Sequence, residues 1–235
     1  MSNITKKKIG ILGGLSPEST TVYYNTITRG YLKETGDEYY PDILIYSVDF
    51  QKYSEWFANG KWEEAGRDMA DVFERLRSAG ADFGLIASNT PHRSLEYILP
   101  NTSLPILSII DVTADAVIAS GVGRVGLLGT RFTMQEEFYK EGLKKKGLDV
   151  IVPEEDEINE INRIIYNELV KSILNVRSKQ KLINIIGELS KMGAEGVILG
   201  CTEIPLIIGV DDAAVQLFDT TKIHAEAALK HSLKG

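Results

Sequence analysis

The chain's one cysteine, Cys201, ends a short apolar run, Gly193-Ala-Glu-Gly-Val-Ile-Leu-Gly-Cys-Thr-Glu-Ile-Pro205. A thiol just past a strand, where a helix begins, has the setting that lowers a cysteine pKa from about 8.5. It can then serve as a nucleophile or a proton acceptor. The polar neighbours Thr202 and Glu203 favour a site over a buried structural thiol. An earlier stretch, Gly80-Ala-Asp-Phe-Gly-Leu-Ile-Ala-Ser-Asn-Thr-Pro91, reads almost the same way. Gly80 matches Gly193, Ala81 matches Ala194, Asp82 matches Glu195 and Ser88 matches Cys201, each pair 113 positions apart (193 − 80, 201 − 88).

Ser88-Asn89-Thr90 offers a hydroxyl, an amide and a second hydroxyl at a strand end, where backbone N–H groups are exposed. That combination suits a carboxylate. Inverting a stereocentre by proton transfer needs a base on one face and an acid on the other. A mirrored pair such as Ser88 and Cys201 supplies both. The carbanion formed beside a carboxylate resembles an enediolate, which fixed N–H and hydroxyl donors stabilise. Neither pyridoxal nor a metal is required.

Other polar groups carry less. His92, four residues beyond Ser88, raises a Ser–His hydrolase, yet Ala87-Ser88-Asn89 stands where a G-x-S-x-G elbow would be. His92 reads instead as a helix-start residue in a supporting hydrogen-bond role. His224 and His231 fall in the final helix with no assigned role. Phe50, Tyr53, Trp56 and Phe57 read as core or cleft wall, and three histidines and one cysteine without paired ligand spacing argue against a dedicated zinc site.

The elements that must position these groups repeat along the chain. Ile9–Leu12 reads as a buried strand running into a glycine pair, with Ser16 as N-cap and Pro17 opening a helix. The glycines miss the dinucleotide fingerprint. Strands are expected at Ile43–Val48, Phe83–Ala87 and Pro105–Ile110, with an amphipathic helix from Trp62 that stops at Gly80. The second half replays this order. Val125–Gly129 echoes Ile9–Gly13, and Thr133-Met-Gln-Glu136 has a capping-box pattern before a helix. Val150–Val152, Val197–Leu199 and Val215–Asp219 read as strands, Asp156–Leu174 as one helix, and a final helix starts near Lys222. Strands alternating with helices imply parallel sheets buried on both faces. The fold class is therefore α/β, two similar domains, each with a four-stranded largely parallel sheet flanked by helices. The expected domains are 1–114 and 115–235, with the last helix packing back on the first half. Ligands in such sheets bind beyond the carboxyl ends of the strands, where Ser16, Ser88, Thr130 and Cys201 lie.

Composition sets the class of partner. At 235 residues, with 43% hydrophobic and 25% charged residues, the chain is a globular protein with a substantial core. A net charge of −7 argues against nucleic acid, and no apolar run is long enough to span a membrane. The opening Met1-Ser-Asn-Ile-Thr lacks the apolar core of a signal peptide. A lone cysteine fits a reducing cytoplasm.

Three motifs carry a resemblance over essentially the whole chain: Gly10-Ile-Leu-Gly-Gly-Leu-Ser-Pro-Glu18, Ser88-Asn-Thr-Pro-His92 and Gly200-Cys-Thr-Glu-Ile-Pro205. The sequence resembles the aspartate/glutamate racemases, which need no cofactor. The resemblance implies two domains related by a pseudo-twofold, a homodimer, and a site between the two halves of each chain. It implies Ser88 and Cys201 as the pair flanking the substrate α-carbon, the cysteine abstracting from the L enantiomer. It further implies Asn89, Thr90 and Thr202 as carboxylate binders with Thr130 close by, and Lys171 as a side-chain-carboxylate anchor. The family pattern usually has cysteine at both catalytic positions; Ser88 departs from it. Phe57 departs too, in a region where relatives often place a polar substrate contact. The expected function is a racemase or epimerase acting on aspartate, glutamate or a related amino acid. The alternatives are an arylmalonate-type decarboxylase with Cys201 as proton donor and an amino-acid-binding homologue without catalysis.

Overall fold

The structure is a computed structural model and describes residues 6–234. Met1–Thr5, on which the signal-peptide expectation falls, lie outside the described residues. By their contacts the residues divide into two compact units, one running up to Ile109 and resuming at Thr221, the other spanning Ile110–Thr220.

The first unit begins with β1 (Ile9–Gly13), α1 (Pro17–Thr35), β2 (Ile43–Ser47), α2 (Phe50–Ala58) and α3 (Trp62–Ser78). It continues through β3 (Phe83–Ile86), a 3-10 turn at Thr90–Ser94, the short α4 (Leu95–Ile98) and β4 (Ile106–Leu107). The helix α5 (Ile109–Ala119) then leads into β5 (Arg124–Gly129), α6 (Arg131–Gln135), α7 (Glu137–Lys145) and β6 (Asp149–Ile151). After α8 (Glu155–Asn167) and α9 (Val176–Lys191) come β7 (Gly196–Gly200), β8 (Gln216–Asp219) and α10 (Thr220–Leu233).

The two sheets share one topology. Their strand orders are β2-β1-β3-β4 and β6-β5-β7-β8, and every pairing is parallel. The central strands β1, β3 and β7 are buried at every residue, as sheets covered on both faces must be. The repeat seen in the sequence has a physical basis at both ends of these strands. Gly80 and Gly193 sit just past α3 and α9 at φ of +100° and +97°, the left-handed region where a side chain would be strained. Two positions later, the Asp82 carboxylate accepts from the Lys8 N–H and the Glu195 carboxylate from the Gly123 N–H. Each acid therefore ties the neighbouring strand's start in the same way.

Several element bounds differ from the sequence reading. The strand expected at Pro105–Ile110 shrinks to Ile106–Leu107, because α5 starts at Ile109. Thr133 does not cap a helix; Thr130 caps α6 and accepts from the Thr133 N–H, while Glu136 precedes α7. The helix expected over Asp156–Leu174 ends at Asn167, and a separate 3-10 turn covers Leu169–Lys171 before Ser172 turns left-handed at φ 58°. Three of the four aromatic residues of α2, Tyr53, Trp56 and Phe57, pack in one cluster. Tyr53 is buried in the core beside Trp56 and Phe57, and Phe57 stacks on Trp62 with ring centroids 4.9 Å apart.

Candidate active site

In the first unit the candidate residues lie past the carboxyl ends of β1 and β3, which run side by side. Ser16 caps α1 as expected, accepting from the Ser19 N–H with Pro17 opening the helix. The Ser19 hydroxyl donates to the Ala87 carbonyl at 2.7 Å, which locks the turn after β1 onto the turn that carries Ser88. The Thr20 hydroxyl accepts from the Gly14 N–H and donates to the Ser16 carbonyl, closing the same turn from within. Ser88 is half-buried, whereas Asn89 and Thr90 behind it are buried. These two polar groups thus sit at a strand end in a setting that exacts a cost unless they bond.

The second unit has the equivalent arrangement. Gly129 and Gly200 pair across β5 and β7, so Thr130 and Cys201 leave the sheet together. A methyl group on Gly200 would lie 2.8 Å from the Leu128 carbonyl, so the chain can reach Cys201 along this path only without a side chain. The Thr220 hydroxyl, just past β8, donates to the Leu199 carbonyl at 2.9 Å and ties the end of β8 to the end of β7. Lys171 lies on its 3-10 turn, exposed.

Cys201, Thr202 and Glu203 form a buried cluster. The thiol donates to Glu203 Oε2 at 3.0 Å, and the Thr202 hydroxyl donates to the same oxygen at 2.8 Å. Burial, then the charge of Glu203 and the hydrogen bond to it, push the thiol well above its ordinary value. The N–H groups of Glu203 and Ile204 face the sulfur and pull the other way, but they are outweighed. This corrects the expectation of a lowered thiol pKa. Beyond the cysteine the chain forms only a three-residue 3-10 turn, Ile204–Leu206, with little dipole to offer, and a carboxylate stands within reach. Cys201 rests as a thiol.

Two contributors were missed by sequence reasoning. Glu203 counted only as a polar neighbour; its position two residues past the cysteine in Cys-Thr-Glu was the available signal. Tyr166 on α8 packs against the apolar cluster that holds Cys201, and burial, with Cys201 and Glu203 close by, pushes its hydroxyl up to about 12. Nothing in the sequence near Tyr166 marks it. Among the described residues no three His, Cys, Asp or Glu side chains cluster closely enough to hold a metal ion, and no helix is long and apolar enough to cross a membrane.

Comparison with known proteins places this arrangement. A family model described as Asp/Glu/hydantoin racemase matches residues 12–228. The crystal structure of a candidate Asp/Glu racemase from Yersinia pestis is 38% identical, covering 97% of this chain and 99% of that one with a TM-score of 0.91. An aspartate racemase homologue from Pyrococcus horikoshii OT3 is 39% identical, covering 96% and 99%, with a TM-score of 0.82. The broad specificity amino-acid racemase RacX of Bacillus subtilis strain 168 is 25% identical over 94% of this chain and 96% of its own length. With two sheets of one topology and a family match spanning both units, the chain belongs to the Asp/Glu/hydantoin racemase family.

Proposed function

We propose that the protein is an amino-acid racemase or epimerase that moves a proton between the two faces of an α-carbon, with Cys201 on one face and Ser88 on the other. The observation that carries this reading is the Cys201–Glu203 hydrogen bond at the end of β7, in a turn whose partner in the first unit bears Ser88. Glu203 gives the thiol a base of its own. When Glu203 takes the thiol proton, the thiolate can remove the α-hydrogen, and the carbanion is reprotonated from the opposite face by the Ser88 hydroxyl, which recovers its proton from water. The N–H groups facing the sulfur stabilise the transient thiolate. Asn89, Thr90 and Thr202 hold the α-carboxylate as its enediolate charge develops, with Ser16 and Thr130 at the neighbouring helix starts. No pyridoxal enters these steps.

The substrate class is an acidic amino acid or a relative, with Lys171 as the cation for a side-chain carboxylate. The names of the relatives support this reading, since they include both an aspartate racemase homologue and a broad specificity enzyme. In a substrate-bound crystal structure Cys201 Sγ and Ser88 Oγ should lie roughly 6 to 8 Å apart across the α-carbon, so that each comes within about 3 to 3.5 Å of it. The working form is a homodimer in a reducing, cytoplasmic setting that keeps Cys201 a thiol. Light scattering at micromolar concentration should show twice the chain mass, and a monomer would refute the dimer alone.

The test of the activity is a panel of L- and D-amino acids in deuterated water, followed for α-deuterium incorporation and inversion. A second reading, decarboxylation with Cys201 protonating the carbanion, is favoured by the thiol's resting protonation. It predicts carbon dioxide release from a malonate without α-exchange on amino acids. A protein that only binds amino acids would show neither.

A further inference from the structure

We propose that His92 is the positioning residue for Ser88, a neutral imidazole whose Nδ1–H holds the Ser88 carbonyl while its bare Nε2 anchors the start of α5. The inference rests on the role of Ser88 argued above. His92 is buried at 2% exposure, and both ring nitrogens are engaged. Nδ1 lies 3.0 Å from the Ser88 carbonyl oxygen, and the Ile109 N–H donates to Nε2 over 3.2 Å. A carbonyl can only accept and a backbone N–H can only donate, so the two partners fix the tautomer. The proton is on Nδ1. A second proton on Nε2 would confront the Ile109 N–H.

The surroundings hold the ring in that state. His224 of α10 stands 6.3 Å away by ring centroids. It is fixed in the opposite tautomer, its Nε2–H donating to the Leu107 carbonyl and its Nδ1 accepting from the Tyr23 hydroxyl. Burial pushes the His92 pKa down to about 4. One imidazole therefore joins the turn carrying the proposed proton donor to the first N–H of α5, a helix-start donor that would otherwise lack a partner. The Ser88 hydroxyl is two bonds from the α-carbon that this carbonyl orients. Its aim depends on the tie.

Two substitutions separate the halves of the device. His92→Asn keeps a donor near the position of Nδ1 and loses the acceptor, whereas His92→Gln keeps an acceptor near Nε2 and loses the donor. If the tie to Ser88 matters, His92→Gln should lower inversion relative to same-face exchange at Cys201 by about tenfold or more, the scale of a catalytic group shifted by a fraction of an ångström. Same-face exchange should stay within about twofold, and His92→Asn should keep the wild-type ratio within about threefold. A merely structural role would depress inversion and exchange together, or would make Asn the worse variant, and either result overturns the proposal. The geometry can also be read without substrate. Nitrogen-15 spectra of histidine-labelled protein should show His92 as the Nδ1–H tautomer, and the Ser88 carbonyl carbon resonance should shift in His92→Gln but not in His92→Asn. An Nε2–H tautomer, or a Ser88 carbonyl indifferent to both substitutions, overturns it whatever the activity. Absence of any exchange in the unmodified protein would instead refute the racemase reading, and these spectra would still decide the tie.

Discussion

Cys201 Sγ and Glu203 Oε2 are 3.0 Å apart, and the thiol donates. The carboxylate therefore does two opposing things. Its charge holds the proton on sulfur at rest, and its lone pair is the nearest place for that proton to go. Glu203→Gln separates the two. With the charge gone the thiol pKa should fall, so alkylation of Cys201 at neutral pH should accelerate severalfold. Turnover should nevertheless fall, by about 100-fold, if Glu203 takes up the thiol proton as a general base. Alkylation rate and α-exchange measured on the same variant check this, and a rise in both would remove Glu203 from the relay.

Ser88 sets the asymmetry of the proposed reaction. A hydroxyl is a far weaker base than a thiolate, so abstraction from the Ser88 face should be slow and delivery from it tolerable. Ser88→Cys should speed the slow direction by on the order of 10- to 100-fold. The comparison of initial rates from the two enantiomers reads it out; the equilibrium ratio itself cannot change.

Stability should fall as the pH drops below neutrality, because two buried neutral histidines must then take up protons. His92 and His224 are buried and neutral, with pKa values pushed down to about 4 and about 3 by burial, and for His224 also by His92. The unfolded chain takes up these protons near 6.5 and the native state does not. Their contribution is therefore complete above about 6.5 and is lost as pH falls toward the folded values, about 3 kcal/mol in all for His92. The partly exposed His231 shifts the same way, less strongly. Glu74 and Glu160, held at about 2 by their hydrogen bonds, weaken only below about 4.5. Urea midpoints between pH 6.5 and 4.5 should therefore decline, and His224→Gln should flatten the decline. An unchanged slope would show that these imidazoles do not carry it.

Local signals wrote most of the fold. Ser16-Pro17 announced a cap and a helix start, the apolar spacing from Trp62 announced α3, and the 113-residue echo announced two sheets of one topology. Errors came where neighbours decide. Ile109, Ile110 and Val112 are β-branched and suit a strand, yet they begin α5, whose first N–H finds His92. Lys171 lost its helix because the chain after Asn167 tightens to a 3-10 turn around the Glu168 carbonyl, which accepts from both Lys171 and Ile173. The candidate site was legible as residue types but not as electrostatics. That Glu203 folds back onto the thiol depends on the backbone path after Gly200, and Tyr166 arrives from a helix 35 positions earlier in the chain (201 − 166).

In the proposed division of labour Cys201 handles the α-proton on its own face while Ser88 serves the other. The most direct measurement is initial α-deuterium incorporation from each enantiomer of the preferred amino acid, for the unmodified protein and for Cys201→Ala. Incorporation should be fast from one enantiomer, slow from the other, and absent from both once the thiol is removed. Equal rates from both enantiomers in the unmodified protein, or exchange surviving in Cys201→Ala, would contradict it.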